Sequence, residues 1–343
     1  MATIDFSKEW VIIIPPDASR SEKPAGDLSR CMGLLSALNG GRPEPPRIVK
    51  AFDQMPGETV SVIVLNCGST ILQRNGFAWR ARPERVEIFG ESERGLCNGI
   101  YSFIAAMGIS WPEPGEEKLP KAGAGLAYNN AGEPSRHEEN PLASYRRFVP
   151  AGKSELGVML KNSEAFAAWA GRSRYDALVI PLAAFVSTGQ EIKQLEKFAG
   201  EYGIALEAGG YDLSSLLPRK NFFLHRDYFR MEDGKRKKDH HFCPTNPDAL
   251  SLINKEAEEL FRAARGVKVF HLWPDKGAET AWCSCPTCRA FTTQEQNRIG
   301  VNAAADILAT LNPNALITFY EKPGEEGKIP MRRNTLKMEI LPE

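Results

Sequence analysis

The 343-residue sequence predicts an α/β protein in two parts. A small α+β, sandwich-like domain covers residues 1–125, a linker covers 126–143, and an incomplete (β/α)8 barrel of the TIM type covers 144–343. Three observations predict this. The first third of the chain reads strand, helix, strand, strand, strand, helix, an order that buries helices on one face of a small sheet. The remainder alternates strands with helices, the pattern of a parallel sheet. Only five strands, and the start of a sixth, can be counted there, whereas eight close a barrel.

In the first part, Trp10-Val11-Ile12-Ile13-Ile14 is an apolar, β-branched run ended by Pro15-Pro16, which reads as a buried strand. A helix is expected from Ala25 to Leu38, stopping at Asn39-Gly40-Gly41. Thr59–Leu65 is a second β-rich run, and Gly76–Arg82 and Arg85–Gly90 alternate apolar and polar residues around the short connection Pro83-Glu84. Glu93–Met107 carries Leu96, Ile100, Phe103 and Ile104 on one helical face and ends at Gly108. The stretch Trp111–Pro141 is rich in Pro, Gly, Glu and Asn, has little apolar periodicity, and reads as an extended connector with an exposed His137.

The second part begins with an expected strand at Ser144–Val149 and a helix at Ser163–Gly171. Asp176–Leu182 then reads as a strand, Gln190–Tyr202 as a helix and Gly203–Glu207 as a strand. Pro247–Arg265 reads as a helix opened by Thr245-Asn246, and Gly266–Trp273 as a strand. Gln294–Leu311 completes the helices, and Ala315–Tyr320 and Thr335–Leu341 the strands.

Basic and acidic side chains number 43 each, so the chain lacks the basic excess of a nucleic-acid binder. The run Lys235–Lys238 lies among Glu232, Asp233 and Asp239 and reads as a solvated loop. The first ten residues carry Asp5, Lys8 and Glu9, unlike a signal peptide, and no apolar run is long enough for a membrane span. Seven cysteines, three of them clustered, point to thiols and a metal in a reducing compartment, so the expected location is the cytoplasm.

Chemistry in such barrels sits just past the C-terminal ends of the strands. That rule nominates the segments after Glu207, after Trp273 and after Tyr320. Two carboxyl groups facing each other there can act as a general acid and its charged partner. Asp275, Glu279 and Glu207 are therefore the candidate catalytic residues, with Asp212 an alternative partner. Trp273 and Trp282 offer faces for sugar C–H groups, and His271 and Glu321 complete the expected substrate contacts. Cys283-x-Cys285-x-x-Cys288, with Cys243 upstream, supplies four thiolates for one structural zinc ion; His240, His241 and His271 are substitute ligands. Free thiols and a disulfide are the competing readings.

The stretch GFAWRARPERVEIFGESERGLCNGIYSFIAAMG, followed by WPEPGEE, resembles the non-catalytic domain that precedes the barrel in bacterial β-hexosaminidases and α-glucuronidases. The resemblance implies that Glu91, Glu93 and Arg94 cap and pack rather than catalyse. In the hexosaminidases the fourth strand ends in His-x-Gly-Gly-Asp-Glu; this chain has His271-Leu272-Trp273-Pro274-Asp275-Lys276. Asp275 matches the residue that orients the substrate's acetamido group, while Lys276 replaces the general acid. The pair of motifs HHFCPTNP and WPD…WCSCPTC resembles the bacterial family called domain of unknown function 4838, which implies a family-20-like barrel without a settled substrate. The expected function is a glycoside hydrolase acting on oligo- or polysaccharides. The alternatives are a non-catalytic carbohydrate-binding protein, an inactive fragment of a longer glycosidase, or a zinc-dependent enzyme. The expected partners are a carbohydrate and the missing remainder of the barrel or an oligomeric copy, with neither nucleic acid nor membrane.

Overall fold

The computed structural model describes residues 2–5, 8–16, 21–41, 44–50, 60–72, 75–123, 127–128, 135–139, 145–320 and 336–341. The chain divides into two compact units. The first comprises Met1–Phe148, Gly157–Leu178 and Lys193–Ala205; the second comprises Val149–Leu156, Val179–Ile192 and Leu206–Glu343.

The first unit opens with β1 (Ala2–Thr3), β2 (Trp10–Ile14), α1 (Glu22–Leu38), β3 (Arg47–Lys50), β4 (Ser61–Cys67), β5 (Phe77–Arg82), β6 (Arg85–Gly90) and α2 (Glu93–Ala106). The short β7 (Ala127–Tyr128) pairs with β1, and β8 (Ser135–Glu139) follows. The main sheet has the order β3-β2-β4-β6-β5-β8. Its first four strands are parallel; β5 runs antiparallel to β6, and β8 runs antiparallel to β5 and so in the direction of the first four. All five residues of β2 are buried, as a central strand covered on both faces requires. The β5–β6 hairpin forms at Pro83-Glu84 as its alternation predicts, with Arg82 opposite Arg85.

Several elements depart from expectation, the short β1–β7 pair among them. Arg47–Lys50 is a strand beside β2, where no strand is expected. Ser135–Glu139 lies inside the segment expected to be an extended connector, yet it pairs with β5 from Phe77 to Ala81. His137 stacks on Trp79 at 5.8 Å between ring centroids rather than standing clear in solvent. A polar edge strand takes its order from the neighbour's backbone groups, which composition does not reveal.

The turn into α2 shows why its sequence is FGESERG. A Cβ on Gly90 would lie 2.1 Å from the backbone nitrogen of Leu96, so only glycine lets the strand end pass under the helix start. Ser92 caps the helix by accepting from the Gly95 N–H at 3.1 Å. Arg94 is buried and spans three partners. It donates to the carbonyls of Tyr202 at 2.8 Å and Tyr175 at 2.6 Å, and pairs with Asp176 at 3.4 Å. Glu91 accepts from the Asn75 N–H at 3.1 Å. These residues cap and pack. Nearby, Phe148, Phe166, Trp169 and Tyr175 form a ring of edge and tilted contacts at 5.0–5.7 Å.

The later elements are β9 (Arg147–Phe148), α3 (Lys153–Lys161), α4 (Ser163–Arg172), β10 (Ala177–Ile180), α5 (Leu182–Ser187), α6 (Gly189–Glu201) and β11 (Ala205–Gly210). A small hairpin, β12 (Met231–Glu232) and β13 (Lys235–Arg236), precedes α7 (Pro247–Ala263), β14 (Val269–Leu272), α8 (Thr293–Leu311), β15 (Leu316–Tyr320) and β16 (Lys337–Leu341). Their sheet has the order β16-β15-β14-β11-β10-β9, a partial barrel wall of six strands. The pairs β9–β10, β11–β14, β14–β15 and β15–β16 are all parallel. α3 is an addition to the expected helices.

In the second unit, α7 and α8 cover the sheet with Ile253, Phe261, Val301 and Leu308 against Phe270, Ile317 and Phe319. Both helices begin as their sequences predict. Asn246 accepts from the Ala249 N–H, and Thr292 and Glu295 form a reciprocal capping box. Among the described residues no helix is long and apolar enough to cross a membrane.

Removing the Arg94 guanidinium takes the ion-pair partner from the buried Asp176 carboxylate, which keeps the Arg146 N–H and the Asn75 amide, and takes a donor from the carbonyls of Tyr175 and Tyr202. Arg94→Ala is expected to cost about 3 kcal/mol, read as a lower denaturation midpoint, and Arg94→Lys restores little of it because an ammonium lacks the planar fork.

Candidate active site

The ends of β11, β14 and β15 hold a buried polar line. Glu207 Oε2 lies 2.7 Å from His271 Nε2, and His271 Nδ1 lies 2.6 Å from Thr318 Oγ1. The Trp273 indole donates to the same hydroxyl at 2.9 Å. All four side chains are at most 2% exposed. The register places Gly209 opposite His271 and His271 opposite Thr318, so neighbouring strands supply the line. Gly209 has φ +105°, and a Cβ there would stand 2.0 Å from the His271 carbonyl oxygen. The strand can approach this closely only without a side chain.

An aromatic group continues from this line. Tyr211 meets Trp273 edge-on at 4.8 Å and stacks on Tyr320 at 5.7 Å with rings inclined by 14°. The two tyrosine hydroxyls are 2.9 Å apart. Tyr211 also lines two cavities. One, of about 360 Å³, is walled by Pro274, Glu279, Thr280, Gln294, Asn297 and Tyr320 among others. The other, of about 760 Å³, receives Asp212, Ser215 and Lys276.

The carboxylates have separate fates. Asp275 is 7% exposed; its Oδ1 accepts from the Ser214 N–H at 3.2 Å, and its Oδ2 faces the His241 N–H at 3.4 Å and His240 Nδ1 at 3.5 Å. It therefore joins the segment after β11 to the segment after β14. Glu207 is engaged with His271. Glu279 accepts from the Gly277 N–H at 2.8 Å and lines the smaller cavity. Asp212 lines the larger one. Burial of its carboxyl, although part of the side chain reaches the cavity, and the neighbouring Asp275 charge push its pKa up to about 6. Burial lowers Arg219, near Asp275, to about 10; its guanidinium donates to the His241 carbonyl at 2.9 Å and to the Ser214 carbonyl.

Of the expected sugar contacts, Trp273 is buried against Tyr211 and His271 belongs to the polar line. Trp282 is 5% exposed, stacked on His241 at 4.3 Å and set in the apolar core, away from both cavities. Glu321 lies outside the described residues. Tyr211 and Tyr320 emerge as cavity residues that were not singled out. Their only signal is their position immediately after a strand and at its last residue.

Cys243, Cys283, Cys285 and Cys288 converge, with their four Sγ atoms within 4.8 Å of one another, all buried and unbridged. The Cys243–Cys285 and Cys243–Cys288 separations are 3.8 and 3.7 Å. A tetrahedron with metal–sulfur bonds of about 2.3 Å has edges of about 3.8 Å, which these two separations match, so the four thiols are close enough together to hold a metal ion. The Met231 N–H and the Arg236 guanidinium point at Cys283 Sγ, at 3.3 and 3.8 Å. The basic run thus forms part of a hairpin over the thiols, turned at Asp233-Gly234 with φ of +48° and +74°. That Asp-Gly pair was the available signal for a hairpin. The Gln296 amide holds the cysteine segment through the Cys283 N–H and carbonyl and the Cys288 carbonyl.

Solved structures share this architecture. A GH20 β-N-acetylhexosaminidase from Streptomyces coelicolor A3(2) aligns at TM-score 0.52 and 13% identity, over 93% of this chain and 63% of that one. The chitobiase of Flavobacterium johnsoniae gives TM-score 0.52 and 14% identity, over 93% and 50%. The GH20 exo-β-N-acetylglucosaminidase of Vibrio harveyi, in complex with N-acetylglucosamine, gives 0.51 and 12%, over 94% and 53%. The chain has the hexosaminidase-like glycoside-hydrolase fold. It spans between half and two thirds of the length of these three structures. No protein-family model matches it, and no curated protein matches it by sequence.

Proposed function

We propose that the chain carries the cleft of a glycoside hydrolase that cleaves an O-glycosyl bond of an oligo- or polysaccharide. Asp212 is the proton donor, and Glu279 is the carboxylate that meets the developing positive charge. The observation that carries this reading is Asp212: a carboxyl beyond the end of β11, in a cavity with an aromatic wall, holding its proton up to about pH 6. A sugar ring resting on Tyr211 brings its glycosidic oxygen within reach of a group that can protonate it. As that bond breaks, the proton moves from Asp212 to the leaving oxygen, and a carboxylate on the other side stabilises the oxocarbenium-like ring; water then adds to the anomeric carbon and gives up a proton to the Asp212 carboxylate, which restores the acid. Asp275, the expected catalytic residue, acts here through position: its charge helps keep the Asp212 proton in place and its oxygens hold two loops together.

A second reading is a carbohydrate-binding protein without turnover. The engagement of Glu207 with His271 and of Asp275 with loop amides favours it, because among the described residues only Asp212 and Glu279 are left to line the cavities. A screen against aryl N-acetylhexosaminides and aryl glucuronides separates the two. The hydrolase reading expects turnover that falls about 10²–10⁴-fold in Asp212→Asn. It also expects kcat/KM to fall as pH rises through about 6, because the active form of an acid is the protonated one. Saturable sugar binding by folded protein without turnover on either substrate series supports the second reading.

We further propose that the four thiolates hold one structural zinc ion, which sets the protein in a reducing compartment such as the cytoplasm. A closed set of four sulfur ligands leaves no open position for a substrate and fits zinc in a structural role. Elemental analysis of purified protein is expected to give one zinc per chain, with Cys285→Ser losing the metal and unfolding at lower temperature. Metal-free folded protein with four freely titrating thiols contradicts this.

A further inference from the structure

The larger cavity carries an electrostatic imbalance. Its volume, about 760 Å³, falls within the about 300–1,000 Å³ range of small-ligand sites. Three charged side chains line it: Lys153, Lys276 and Asp212. Among the described residues, neither ammonium has a carboxylate within ion-pair distance. Asp212 gives back one negative charge at most. The remaining polar lining is Ser187, Thr188 and Ser215, neutral hydroxyls suited to a sugar, with the Tyr211 ring as the flat element.

Lys276 follows Asp275 directly, and its Nζ stands 6.0 Å from the Tyr211 ring centroid, so a sugar on that ring lies within reach of the ammonium. Lys153 enters from the first residue of α3, a different segment. Two lysines from separate segments, without an ion-pair partner among the described residues, line one hydroxyl-bearing cavity, which suits a ligand that carries its own negative charge.

We infer that this cavity selects a saccharide unit bearing an anionic group, a carboxylate or a sulfate, received by Lys276 and Lys153 while Tyr211 meets the ring. The inference rests on the glycosidase-cleft reading above and names the substrate class for it. No covalent step is added: the ammonium groups bind, and their preference over neutral sugars comes from charge-assisted hydrogen bonds.

The test is equilibrium binding, by calorimetry or ligand-observed NMR, with matched pairs of probes. Methyl glucuronide is compared with methyl glucoside, and N-acetylglucosamine 6-sulfate with N-acetylglucosamine. At least one anionic probe is expected to bind about tenfold more tightly than its neutral partner, an advantage that added salt erodes. Lys276→Met and Lys153→Met are each expected to remove most of that advantage while leaving neutral-sugar binding and the melting temperature unchanged, and Lys276→Arg to keep it. Preference for one anionic probe identifies carboxylate or sulfate as the source. Equal affinity for charged and neutral partners, or loss of both kinds of binding in the lysine variants, overturns the inference. Anion selectivity without any hydrolysis sinks the hydrolase reading and leaves this one standing. Turnover of neutral glycosides without anion preference does the reverse.

Discussion

The buried line Glu207–His271–Thr318–Trp273 is the constraint on which the second unit's cleft depends. Polar groups taken out of water must find one another or cost several kcal/mol, and here each does. Because the four residues come from β11, β14, β15 and the residue after β14, their hydrogen bonds fix the relative heights of three strand ends. The Trp273 indole is thereby locked, and Tyr211 and Tyr320 pack on it; Tyr211 is the wall shared by both cavities, and Tyr320 lines the smaller one. The glycine opposite His271 serves the same end, since a side chain at Gly209 would force β11 away from β14.

Above that floor stand two long segments, 211–246 and 273–292, without enough regular structure to hold themselves. Several contacts bind them together, the stack of Trp282 on His241 among them. Asp275 takes the Ser214 N–H and faces the His241 N–H. The Ser284 N–H and hydroxyl both donate to the Met231 carbonyl at 2.8 Å. The four cysteines, one from the first segment and three from the second, close on a point. This economy has a chemical consequence. The carboxylate that ties the loops also sits close enough to Asp212 to disfavour its ionisation, so one residue serves both loop geometry and proton retention.

Most of the element order was legible because it follows from local rules. β-branched runs gave β2, β10 and β15; Asn246 marked the start of α7, and the start expected for α8 at Gln294 lies one residue from the observed Thr293. β8 was not legible: Ser135–Glu139 has a polar composition, and its strand character comes from pairing along β5. The site was legible as a set of loops but not as a set of directions. Sequence position put Asp275, Glu279, Trp273 and Trp282 on one segment, yet a loop backbone turns each side chain independently. Asp275 went to backbone amides, Trp282 to His241 and the core, and Glu279 to a cavity. The cysteines were easier to read, because a metal-ligand spacing is itself a geometric statement and their convergence needs only adjacent strands.

The central claim is that the strand ends of the second unit hold a carboxyl that keeps its proton far above the ordinary range. Carbon-detected NMR titration of the Asp212 carboxyl measures this without a substrate. The account predicts a midpoint of about 6, falling part of the way toward the ordinary value in Asp275→Asn, with burial responsible for the remainder. A midpoint near the unperturbed aspartate value of about 3.9 would contradict the account and leave the cleft without its acid.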